Sequence, residues 1–82
     1  MSDVNYNVSG KGMVKSGIYK HYKGALYKVM GAARHSETEE WLVHYQALYG
    51  EYGYWVRPLD MFCENVEVDG VVVKRFELIK ED

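Results

Sequence analysis

Chain-breaking residues recur at short intervals from Gly17 onward: Lys23-Gly24, Ser36 to Glu40, the pair Gly50 and Gly53, Pro58, and Asp69-Gly70. The runs between them are rich in Tyr, Val, Ile and Trp, and none shows a convincing helical period. Asp69-Gly70 is the clearest signal, because it lies between the Val-rich runs NVEV and VVVK, and Asp-Gly suits the positive φ angles of a two-residue hairpin turn. The chain therefore reads as a meander of short strands.

The individual runs support that reading. GIYKHY and ALYKVMGAARH flank the Lys23-Gly24 turn and predict two strands. In the second, Tyr27, Val29, Gly31 and Ala33 share the expected inner face, since side chains alternate with period two. A glycine inside a strand predicts a bulge or bend at Gly31. Trp41, Val43, Tyr45 and Ala47 are the apolar phase of the next strand. A helix competes here, because Ser36 and Glu39 have capping-box spacing, but the aromatic and β-branched residues that follow favour extended chain. Tyr54 to Arg57 form the fourth strand, Pro58 ends it, and Pro58 to Phe62 fit a single 3₁₀ turn before the last hairpin. The expected architecture is all-β, about five short antiparallel strands. A barrel is preferred over a sandwich because closure hides strand edges.

At 82 residues the chain supports one core. Residues 1–16 carry few large apolar groups and are expected to form a flexible N-terminal segment, with a single domain over residues 17–82. No apolar run approaches membrane-spanning length, and the N-terminal region lacks a secretory pattern, so a cytoplasmic address without membrane contact is the expectation. The lone Cys63 supplies neither a disulfide nor a cysteine-rich metal site, and it reads as a buried small residue.

Charge is uneven along the chain. Through Arg34, six basic residues stand against Asp3; after it, four basic residues stand against eleven acidic ones. Strands of opposite sign lying side by side account for this better than two oppositely charged faces.

The stretch from Gly17 through Phe62 is similar to a family of small bacterial proteins known as domain of unknown function 1653. The likeness extends over residues 17–78 and is carried by ARHSET, LYG, WVRP with the following MF, the late Asp-Gly and Arg-Phe. It implies an SH3-like barrel and brings no activity.

Two places carry the candidate chemistry. The first is the loop Arg34, His35, Ser36, Glu37 and Thr38, where Arg34 could hold an anion, His35 could exchange a proton, and Ser36 and Thr38 could donate hydrogen bonds. Its structural alternative has Ser36 and Thr38 closing the turn while Arg34 and Glu37 form an exposed pair. Three consecutive residues do not converge as a catalytic triad, so His35, Ser36 and Glu37 make none by themselves. The second place is Trp55 with Arg57, which share one strand face; with Val56 inward, the pair points outward and suits a binding hot spot. The alternative is a lid in which Arg57 stacks on Trp55 and covers the barrel's end.

His21, His35 and His44 lack the spacing and partners of a metal site, and no motif calls for a cofactor. A small binding module for a protein or peptide is the preferred function. RNA binding is the alternative, using Lys11, Lys15, Lys20, Lys23, Lys28 and Arg34 interleaved with tyrosines, although the chain's pI near 5.9 opposes it. A small hydrolase acting through the Arg34 to Thr38 loop is the less favoured rival.

Overall fold

The computed structural model describes residues 14–82. The strands are β1 (Gly17–His21), β2 (Leu26–Arg34), β3 (Trp41–Ala47), β4 (Tyr54–Pro58), β5 (Asn65–Val68), β6 (Val71–Lys74) and β7 (Phe76–Glu81), with one short helix, α1 (Leu59–Phe62), after β4. Five strands form an antiparallel sheet in the order β4-β3-β2-β1-β7, and β5 and β6 form a separate hairpin. The domain is all-β, as the sequence predicts, but the sheet does not close into a barrel. The hairpin at Asp69-Gly70 is the one expected; the additional strand arises because the run after it divides, with β6 completing the hairpin and β7 joining the sheet beside β1.

Turn chemistry sets these elements locally. Asp69 and Gly70 both take positive φ, 51° and 80°, and join Val68 to Val71 across the hairpin. At the β1–β2 turn, the Gly24 N–H donates to the His21 carbonyl at 2.7 Å. The Ser36 to Glu40 segment is a loop, so the capping-box alternative is not realised. After Pro58, the Cys63 N–H donates to the Leu59 carbonyl at 3.0 Å, four residues back. The expected 3₁₀ turn is thus one turn of α-helix.

Gly31 bends β2 as its position predicts. The β2–β3 register slips between Val29 and Gly31, leaving Met30 as the extra residue, and Gly31 takes φ 145°. The slip reverses the side-chain phase. Before it, Val29 lies opposite Tyr45; after it, Ala32 lies opposite Val43. Ala32 therefore occupies the core side where simple alternation from Tyr27 places Ala33. The odd-numbered phase of β3 is inward as expected, with Val43, Tyr45 and Ala47 all buried.

The core consists of Val14, Tyr19, Val29, Val43, Tyr45, Leu59, Phe62 and Phe76. Phe62 of α1 stacks on Phe76 of β7, with ring centroids 4.3 Å apart and planes at 6°. The helix thus carries its apolar residues onto the concave side of the sheet. Residues 1–13, most of the segment expected to be flexible, lie outside the described residues. Val14 belongs to the core, which therefore begins three residues before the predicted boundary. Behind it, Gly17 packs so closely against β7 that a Cβ there would collide with the Lys80 carbonyl oxygen.

Opposite charges interleave across the sheet. Lys20 lies opposite Glu77, and the Lys15 Nζ is 3.8 Å from a Glu81 carboxylate oxygen. The basic first half is thereby placed beside the acidic last strand. Cys63 corrects the sequence reading: it is exposed rather than buried, and partial desolvation pushes its thiol pKa up. No helix among the described residues is long and apolar enough to cross a membrane.

Candidate functional site

The Arg34 to Thr38 loop is closed by its own side chains. His35 Nδ1 accepts the Glu37 N–H at 3.1 Å and the Thr38 N–H at 3.3 Å. Thr38 Oγ1 accepts the Glu40 N–H at 3.2 Å. The backbone adds His35 N–H to the Glu40 carbonyl at 2.8 Å and Glu39 N–H to the His35 carbonyl at 2.9 Å. An imidazole nitrogen that accepts two N–H groups is the unprotonated one, so the ring carries its proton on Nε2. His35, rather than Ser36, shares the turn-closing role with Thr38.

Arg34 is also engaged at home. Its Nη1 lies 3.5 Å from Glu39 Oε1, and its Cζ sits 4.8 Å from the Trp41 ring centroid. The exposed acidic partner is Glu39, not Glu37. Trp41 faces Arg34 directly across the β2–β3 ladder, which explains the stacking. Among the described residues no hydrogen bond joins Ser36 to His21 or His44, and no group of three metal-ligating side chains gathers.

Trp55 and Arg57 do share a face, but it is the core side of the sheet. Trp55 lies opposite Tyr45 and Arg57 opposite Val43, while Val56 lies opposite outward-facing His44. Val56 is therefore outward, reversing the expected orientation of the pair. Because β4 is the last strand of the sheet, the core cover ends before it reaches Trp55, which stays 60% exposed. Its indole lies over Gly53, where an added Cβ would stand 3.4 Å from Nε1.

Arg57 does not stack on Trp55. Its guanidinium reaches across the mouth of the curled sheet to β7, with Cζ 5.5 Å from the Phe76 ring centroid. The two edge strands, unpaired by backbone hydrogen bonds, are thus bridged by one cation–π contact. Arg57 Nε is buried there without a hydrogen-bond partner, and no carboxylate among the described residues pairs with this guanidinium. Phe76 also meets His21 edge-on at 5.0 Å. Partial burial lowers the His21 pKa, and the charges of Arg75, Arg57 and Lys23 lower it further. Its Nδ1 accepts the Lys23 N–H at 3.1 Å, which requires that nitrogen to be unprotonated.

Aromatic rings extend this face toward solvent. Tyr27 packs edge-on against Tyr45 and Tyr49, at 5.4 and 5.6 Å. The Tyr27 and Tyr49 hydroxyls lie 2.9 Å apart. Burial, reinforced by that hydrogen bond, pushes the Tyr27 pKa up to about 12. The sequence placed Tyr27 on the inner face but carried no signal for Tyr49, which follows β3 and reaches Tyr27 only through the fold. Phe76 was likewise invisible as a platform for Arg57, nineteen positions away in sequence.

The fold and this face define a small all-β domain with an open, aromatic-lined sheet edge. A family model described as a protein of unknown function, DUF1653, matches residues 17–78, and the chain belongs to that family. A crystal structure of a DUF1653 protein from Bordetella bronchiseptica is similar to it, with TM-score 0.80 and 32% identity, covering 88% of this chain and 95% of that chain. A comparison with curated proteins found no match.

Proposed function

We infer that this domain is a binding module for a protein or peptide, and that the Trp55/Arg57 end of the concave face is where the partner sits. The carrying observation is that β4 takes the core face of the sheet beyond its cover. Trp55 is left exposed there, beside a cation that has no carboxylate partner among the described residues. Such a combination of rigid aromatic area and a directional cation is what protein-binding hot spots use. Tyr49 and Tyr52 add exposed aromatic surface in the neighbouring turn. The Arg34 to Thr38 loop supports the reading less well, because its polar groups are spent on closing the turn.

RNA binding has less support. Lys20 is opposed by Glu77, Lys15 by Glu81 and Arg34 by Glu39, so these basic residues do not form one uncompensated track; Lys11 lies outside the described residues. An isotope-labelled titration separates the readings. Acidic, apolar and proline-rich decapeptides are added in turn, and the Trp55 indole N–H and Arg57 side-chain signals are followed. A shift of both with at least one peptide class is expected. Silence at both positions, or a response confined to oligouridine RNA that fades with salt, would remove the peptide reading.

A further inference from the structure

The two edges of the five-stranded sheet are unequally protected. β7 carries Glu77, Lys80 and Glu81, and its register with β1 slips between Ile18 and Tyr19, leaving Ile79 as the unpaired residue. Charge and a bulge are two devices that keep an edge from pairing with a foreign strand. β4 has neither over Tyr54, Trp55 and Val56, which are 64%, 60% and 58% exposed. No strand among the described residues pairs with its other side.

The phase of the β3–β4 ladder shows what that edge offers. The Ala47 N–H donates to the Gly53 carbonyl at 2.9 Å, and the β3–β4 register continues this pairing through Tyr45 with Trp55 and Val43 with Arg57. Directly opposed residues in an antiparallel pair alternate between bonded and unbonded positions. Trp55 and Arg57 therefore turn their backbone groups toward β3, while Tyr54, Val56 and Pro58 turn theirs away. Pro58 falls in the outward phase, so its missing N–H costs the ladder no bond. Two outward N–H groups and two outward carbonyls, on Tyr54 and Val56, remain; the Pro58 carbonyl belongs to α1, of which Pro58 is the N-cap.

Resting on the peptide-binding reading above, we propose that the partner binds as an extended segment added antiparallel to β4, with an acidic side chain opposite Arg57 and an apolar one opposite Trp55. The added backbone takes the outward groups of Tyr54 and Val56, as in other strand-addition complexes. Its alternate side chains then fall on the concave face. There, a carboxylate opposite Arg57 supplies the countercharge that the described residues lack, and an apolar residue covers the Trp55 indole. The third side chain, between these two, lies on the outer face beside Val56.

The test uses the full chain and a capped pentapeptide, Thr-Glu-Val-Tyr-Thr, whose antiparallel alignment puts Glu opposite Arg57 and Tyr opposite Trp55. Amide exchange at Tyr54 and Val56 is expected to slow at least tenfold on saturation, and replacing the peptide Glu by Lys is expected to weaken binding at least fivefold. Arg57→Glu should reverse that preference. Val56→Pro removes an outward N–H and no ladder bond, so it should abolish binding; if this variant does not fold, exchange in the unaltered protein decides. Peptide-induced shifts at Trp55 without slowing at Tyr54 and Val56 would overturn strand addition while leaving peptide binding in place. Amides already protected in the peptide-free monomer would overturn it too. So would protection that rises with protein concentration alone, which would assign the edge to a second copy of this chain.

Discussion

Tyr45 and Trp55 face each other across the β3–β4 ladder on the same side of the sheet, yet Tyr45 is 6% exposed and Trp55 is 60% exposed. One strand's displacement separates a core residue from a surface one. Phe62 lies 6.1 Å from the Tyr45 ring, centroid to centroid, so the α1 cover reaches β3. Beyond it, the same face of the sheet opens to solvent.

This contrast predicts opposite outcomes for two similar truncations. Tyr45→Ala removes a buried ring and should cost about 3–5 kcal/mol of unfolding free energy, as aromatic truncations in cores do. Trp55→Ala should cost less than about 1 kcal/mol, as surface substitutions do, but should lose peptide binding. Urea melts paired with the decapeptide titration check both. A strongly destabilised Trp55→Ala would make the indole a structural lid.

Removing the imidazole of His35 tests the loop. His35→Ala deletes the acceptor for the Glu37 and Thr38 N–H groups and should cost roughly 1 kcal/mol or less, because both amides can turn to water. Amide exchange at Glu37 and Thr38 should accelerate while peptide affinity stays unchanged. A loss of affinity without faster exchange would return the loop to the binding site.

The pH dependence of stability should carry a His21 contribution of known sign. Burial first, then Arg75, Arg57 and Lys23, hold the folded-state pKa below the usual 6.5, so the unfolded chain takes up this proton first. Stability from this group is therefore full above the unfolded value and falls as pH drops through about 6.5 toward the lower folded value. His21→Gln should flatten that segment of the profile, measured by urea midpoints between pH 7.5 and pH 5. An identical slope in the variant would assign the acid sensitivity to other groups.

Gly31→Val should destabilise by roughly 1–3 kcal/mol, although the space beside Gly31 is open. The penalty comes from the backbone, whose φ of 145° suits glycine and opposes a β-branched residue. An unchanged urea midpoint would mean that β2 relaxes out of its bulge, and the Ala32 amide environment would then shift.

Much of the fold was legible because its signals are local. The Asp69-Gly70 turn, the bulge at Gly31 and the inward phase of β3 each depend on residues within a few positions of one another. Sites were less legible. In Tyr54-Trp55-Val56-Arg57 both phases carry a large apolar group, so period two names the partners that share a face without saying which face is inward. His35 shows the same limit differently, since its capture by two backbone amides depends on the bend of a loop whose residue types also suit catalysis.

By itself, the sequence determined most strand segments, the turns between them and the all-β class, because strand alternation and turn φ preferences act over neighbouring residues; it did not separate β7 from the hairpin run before it. The tertiary structure decided that Val14 joins the core, that Phe62 stacks on Phe76, and that Arg57 spans from β4 to β7 on the core side of an open sheet. Those outcomes follow from long-range register and from where the cover of α1 ends. A period-two pattern cannot encode either, since shifting β4 by one residue would exchange its faces and leave the sequence unchanged.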